Sequence, residues 1–139
     1  MSKVNSLDKF AAMEKEIILT ENAPSPIGPY SQAVLVNGFL YISGQIALKP
    51  GTDELAKEDI VMETHQVMQN LKAILAKAGM DFSHAVKTTI FITDMGNFST
   101  VNSVYAKYFE QEFPARETVQ ISGLPRGVNV EISMIAFKG

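Results

Sequence analysis

The chain has no cysteine and only two histidines in 139 residues. Without cysteine there can be no disulfide, no thiolate nucleophile and no thiolate metal site. His65 and His84 stand alone, without an H-E-x-x-H or other ligand spacing, so no metal site is expected. Both read as surface or packing residues. There is no basic surplus: net charge is −3, with both signs interspersed. That speaks against a nucleic-acid binder driven by phosphate neutralisation. No apolar run approaches the ~20 residues that span a bilayer, and the N-terminus lacks a secretory apolar core, so a cytoplasmic protein is expected. In that setting the sequon Asn97-Phe98-Ser99 is idle. G-x-G-x-x-G, P-loop and G-x-S-x-G patterns are all missing, and no S-x-x-K begins at Ser43.

What is present fits one α+β domain. Residues 1–16 read as a flexible extension, with Val4, Leu7, Phe10 and Ala11 on one side of a helix too short to stand alone. The domain is assigned to residues 17–139. Ala23 to Tyr30 holds three prolines and reads as an ordered extended loop. Strands over 33–36 and 39–43 flank Asn37-Gly38, a strong hairpin signal. Residues 59–78 carry apolar side chains at i, i+3, i+4 and i+7, the mark of a helix with one buried face. A β-branched strand over 85–93 follows, then a second amphipathic helix from Phe98 to Phe109, ended by Pro114. Strands over about 115–122 and 128–137 close the chain. A short extra strand near Ile17 would complete one sheet with both helices on one face. The other face would stay uncovered and half apolar, since Ile135 and Phe137 are in phase with Glu131 and Ser133. Such a face suggests burial against other subunits.

Arg116 heads one terminal strand, in Phe113-Pro114-Ala115-Arg116, and Glu131 lies in the other, in Val130-Glu131-Ile132. If those strands are neighbours, alternation allows the two to share a face. A guanidinium then suits a small carboxylic acid, and a carboxylate can handle a proton. The same spacing equally suits a structural ion pair at a subunit contact. Ser43-Gly44 ends a strand and reads as a turn. Tyr30 fits packing or hydroxyl donation to a ligand, and Asn102 fits an ordinary polar helix position.

Taken in order, these segments resemble the Rid (YjgF) family, and most its RidA branch of reactive enamine/imine deaminases. The resemblance rests on Ile27-Gly28-Pro29-Tyr30-Ser31-Gln32-Ala33, Ile42-Ser43-Gly44-Gln45-Ile46, Asn70-Leu71-Lys72-Ala73-Ile74-Leu75, Val86-Lys87-Thr88-Thr89, Val101-Asn102, Phe113-Pro114-Ala115-Arg116, Leu124-Pro125 and Val130-Glu131-Ile132. It covers nearly everything from Ile17 to Phe137. It implies a chorismate-mutase-like fold and a homotrimer around a central barrel, with clefts between subunits. It also implies that Arg116 binds the substrate carboxylate and Glu131 activates water, with Tyr30, Ser43, Gly44 and Asn102 in the pocket. Many members carry cysteine where this chain has Thr118, a position whose backbone N–H the family uses near the ligand. Many also read Glu-Ile-Glu where this chain reads Glu131-Ile132-Ser133.

The implied reaction is hydrolysis of 2-aminoacrylate and 2-iminobutanoate, through their imines, to 2-oxo acids and ammonia, with no cofactor or metal. Two alternatives stand beside it. One is a non-catalytic module that binds 2-oxo acids at Arg116. The other is an endoribonuclease or translation inhibitor, against which the acidic balance and the lack of a histidine pair speak.

Overall fold

The computed structural model describes residues 14–139. Most of the expected extension, residues 1–13, lies outside them. Glu16 is already the first residue of strand β1, Glu16–Ile18, paired with Leu35. The remaining elements are β2 Ala33–Val36, β3 Phe39–Gln45, helix α1 Ile60–Lys77, β4 Ala85–Ile92, helix α2 Phe98–Ala106, β5 Ala115–Gln120 and β6 Val130–Phe137. No helix among the described residues is long and apolar enough to cross a membrane.

Local chemistry sets these boundaries. Asn37 and Gly38 take φ of 50° and 83°, the left-handed pair that a two-residue hairpin requires. Asp59 caps α1 by accepting a hydrogen bond from the Met62 N–H at 2.8 Å. Helix α2 stops at Ala106 instead of running on to Phe109. Tyr108 and Phe109 turn inward, where each packs its ring against Phe82, with centroids 5.5 and 5.4 Å apart.

All six strands form one mixed sheet in the order β1-β2-β3-β6-β4-β5. Only β4 and β5 are parallel, joined by the crossover through α2. The terminal strands β5 and β6 are therefore not neighbours, contrary to the condition under which Arg116 and Glu131 would share a face. Strand β4 lies between them. A parallel crossover carries β5 to the outer edge of β4, and the central slot is left for β6, whose alternate residues Val130, Ile132, Met134 and Ala136 are all buried.

Those residues, with Leu40, Ile42, Ile90 and Ile92, meet Val67, Leu71, Ile74 and Leu75 of α1 and Val101 and Tyr105 of α2 in one core. Both helices thus cover one face, as the alternation predicts. The other face carries Phe39, Tyr41, Val119 and Phe137, all exposed. A polar group crosses it: the Lys87 Nζ pairs with the Glu117 carboxylate at 3.0 Å, and the Thr89 hydroxyl donates to the same carboxylate at 2.6 Å.

Candidate active site

Arg116 sits on β5 opposite Thr88 of β4, and Thr88 is fully buried under the helices. Residues in register share a face, so Arg116 emerges on the helix side, at the sheet's edge. Its Nη1 donates to the Asn102 Oδ1 at 2.7 Å. Its guanidinium carbon lies 5.1 Å from the Tyr105 ring centroid and 5.8 Å from that of Phe98. These are cation–π distances, and they hold the planar fork between two aromatic walls. Burial pushes the Tyr105 phenol up, against a 2.8 Å hydrogen bond with the Thr88 hydroxyl and the Arg116 charge. The phenol therefore stays neutral and locks the ring that supports the guanidinium.

No carboxylate among the described residues pairs with Arg116. The guanidinium has five donors, and it lines a cleft of about 390 Å³ together with Asn102, Tyr105, Ala106, Phe113 and Pro114. Thr118 lies on the same face, two residues along. Its buried hydroxyl has no partner among the described residues. Strand β5 is the sheet's edge, so its outer backbone N–H groups lack a strand partner. A larger groove of about 710 Å³ lies near the β2–β3 hairpin, but its one cation, Lys138, already donates to the Gly79 carbonyl at 2.9 Å.

Glu131 pairs in register with Phe91 of β4, three residues from Thr88. An odd offset places it on the opposite face from Arg116. Two strand spacings across and three residues along put the two Cα atoms about 14 Å apart. Arg116 and Glu131 of one chain therefore form neither an ion pair nor a single pocket.

The company of Glu131 is a different set of residues. The β3–β6 register slips between Ile42 and Gln45, so Ser43 and Gly44 together oppose Ser133. This bulge turns Gly44 beneath Glu131. A Cβ at Gly44 would lie 2.7 Å from both the Cδ and the Oε2 of Glu131, so any side chain there would displace the Glu131 carboxylate. Burial raises the Glu131 pKa above the ordinary carboxylate range, and no cation or hydrogen bond lowers it.

Ser43 donates its hydroxyl to the Ser31 carbonyl at 2.6 Å, and its N–H goes to the Gln32 carbonyl. Its oxygen lone pairs remain available as acceptors. The Tyr30 ring is half exposed and lines a small crevice with Gly44, Gln45 and Ile27. The Pro-rich loop that carries it is fastened by Gln32. That buried amide accepts from the Thr20 N–H at 2.7 Å and donates to the carbonyls of Thr20, Ala23 and Pro24.

The structure thus sorts the expected residues into two groups. Arg116, Asn102 and Thr118 lie on the helix face; Glu131, Tyr30, Ser43 and Gly44 gather around the bulge at the other face. His65 bonds the Tyr108 hydroxyl at 2.7 Å and His84 accepts from the Asp81 N–H, so both are occupied in packing and capping. Sequence reasoning missed Tyr105, Phe98 and Gln32 as supports. Tyr105 and Phe98 read as members of an apolar stripe, and nothing local marks Gln32 as buried.

The family model described as Endoribonuclease L-PSP matches residues 20–138. The chain belongs to this family, the YjgF/Rid family. It is 43% identical over 129 residues to the human 2-iminobutanoate/2-iminopropanoate deaminase, covering 93% of this chain and 94% of that one. A crystal structure of a Rid family protein from Yersinia pestis, described as of unknown function, superposes with a TM-score of 0.87 at 52% identity, covering 90% of this chain and all of the other. E. coli TdcF with bound serine gives a TM-score of 0.86 at 38% identity, covering 89% and 99%. The YjgF-type fold is therefore shared along almost the full length of these Rid proteins.

Proposed function

We propose that this Rid protein hydrolyses small 2-imino acids to 2-oxo acids and ammonia, in pockets built between the copies of a homotrimer. The observation that carries this reading is the Arg116 guanidinium. It is braced by Asn102 and Tyr105, faces an open cleft and has no carboxylate partner among the described residues. A fixed planar fork of this kind favours a bidentate ligand carboxylate. The mammalian relatives named 2-iminobutanoate/2-iminopropanoate deaminase, and the relative holding serine, favour the same class of small amino-acid-derived carboxylates.

In the proposed pocket, Arg116 of one copy meets Glu131, Tyr30 and Ser43 of the next. Such a contact joins two different patches, and repeating it around a three-fold axis closes a ring. The same closure would bury the apolar open face. Arg116 holds the carboxylate of the iminium acid, leaving C2 beside a water. Glu131 takes a proton from that water as its oxygen bonds to C2 and the C=N π pair moves to nitrogen. The resulting carbinolamine accepts the proton from Glu131 on nitrogen, the C–N bond breaks, and ammonia leaves with that bond's electron pair. The remaining hydroxyl passes its proton to Glu131 as the C2 carbonyl forms, and Glu131 releases it to solvent. A desolvated carboxylate is a stronger base than one in water, which suits this step.

The test couples a threonine dehydratase, which releases 2-iminobutanoate, to semicarbazide as a competing trap. Adding the protein should suppress semicarbazone formation catalytically. Unchanged semicarbazone yield at micromolar protein would defeat the reading.

A further inference from the structure

One buried acid has no part in the proposed chemistry. Glu63, in the first turn of α1, has no solvent exposure. Its Oε2 accepts from the backbone N–H groups of Asn129 at 2.7 Å and Val130 at 3.0 Å, and its Oε1 accepts from the Asn129 side-chain amide at 2.8 Å. Those are the two residues immediately before Glu131. We propose that Glu63 is a positioning residue, which sets where β6 begins and hence where Glu131 lies over Gly44. The proposal rests on the reading of Glu131 as the base.

The sheet itself restrains the start of β6 on one side only. The β3–β6 ladder ends at Gln45 and Ile132, so residues 129–131 have no strand partner on that side. On the other side, β4 holds them through the Ile92–Val130 pairing and the Thr93 N–H to the Asn129 carbonyl, at 3.1 Å. Glu63 supplies the missing restraint from above, and both of its oxygens are used as acceptors. Its own place is fixed by the Asp59 cap and by the buried side chains of Thr64 and Val67 beside it. Directly before this strand start, Arg126 takes φ of 58°, and its guanidinium bonds Asp53. The strand is thus entered from a tight turn, and the Glu63 bonds on one side and the β4 pairing on the other lie between that turn and Glu131. Beneath Glu131, the backbone of Gly44 lies so near that a Cβ added there would come within 2.7 Å of the Glu131 carboxylate, so the position of Glu131 over Gly44 depends on where β6 begins. A displacement of about 1 Å at a reacting group can cost about 100-fold in rate.

The charge-keeping variant Glu63→Asp shortens the reach by one methylene and should draw the strand start away. Turnover should fall by about 10- to 100-fold. Affinity for 2-oxobutanoate, measured by calorimetry, should stay within about twofold, because Arg116 of the neighbouring copy anchors that ligand. Glu63→Gln should stay near wild type. Its oxygen can accept the two backbone N–H groups while the Asn129 amide turns to accept from the new NH₂.

Wild-type turnover, equal loss of turnover and affinity, or loss only in step with the folded fraction in Glu63→Asp would each overturn the positioning role. A wild-type protein without hydrolysis would instead overturn the proposed reaction. In that case the crystal structure of Glu63→Asp still decides the geometry. Glu131 displaced from Gly44 supports the role, and Glu131 unmoved refutes it.

Discussion

Arg116 and Glu131 stand on opposite faces of the sheet, held apart by β4, whose Thr88 pairs with one and Phe91 with the other. A pocket that uses both must take them from different copies of the chain.

Mixing Arg116→Ala and Glu131→Gln subunits tests this directly. Each variant alone should be nearly inactive. After joint unfolding and refolding at equal amounts, a randomly mixed ring carries both wild-type groups in about one pocket in four. About a quarter of wild-type activity should return, and none should return on mixing without unfolding. No recovery after verified subunit exchange would mean that both groups act from one chain.

Removing the guanidinium alone should be severe. Arg116→Ala should lower kcat/KM by at least 100-fold, since two charge-assisted hydrogen bonds at about 1.5–3 kcal/mol each are lost. Asn102→Ala keeps the charge but frees the fork, so a loss of about tenfold is expected, with circular dichroism unchanged for both. An active Arg116→Ala protein would sink the anchor role.

The bulge glycine makes a steric prediction. Gly44→Ala places a methyl where the Glu131 side chain lies, 2.7 Å from its carboxylate atoms. Glu131 must move, and turnover should drop by about 10- to 100-fold. The melting temperature should change far less, because Gly44 is exposed at the sheet's margin. Full activity in Gly44→Ala would show that the position of Glu131 is not critical.

The burial of Glu131 predicts the acid limb of the pH profile. A general base must be ionised, so kcat/KM should fall as pH drops through a pKa above the ordinary glutamate value of about 4.3. The stability effect has the opposite sense. A folded pKa raised above the unfolded one favours the native state fully below the unfolded value, and that gain is lost as pH rises through the folded value. Ionised Glu131 is therefore a cost at pH 7. Glu131→Gln should melt at the same or a higher temperature than wild type at pH 7, with the gap closing by pH 4, while losing turnover. A Glu131→Gln protein less stable at pH 7 than at pH 4, relative to wild type, would contradict the burial effect.

The sequence by itself determined the local elements and suggested a chemical type for the site. The 3.6-residue period of α1, the hairpin at Asn37-Gly38 and the alternation in β6 all depend on neighbours along the chain, and each formed where its pattern lies. The motif order likewise marked Arg116, Glu131, Tyr30, Ser43, Gly44 and Asn102 as candidates through the family resemblance. Alternation also places each side chain relative to others on its own strand. It says nothing of which strand lies beside it, because strand order is settled by long-range packing and by the crossover through α2. Only the tertiary structure could therefore set Arg116 and Glu131 on opposite faces. The same holds for Gln32, Glu63 and Tyr105. A glutamine in a loop, a glutamate in a first helical turn and a tyrosine in an apolar stripe look ordinary along the chain. Their roles come from distant partners, Thr20, Asn129 and Arg116, that only the folded chain brings within reach.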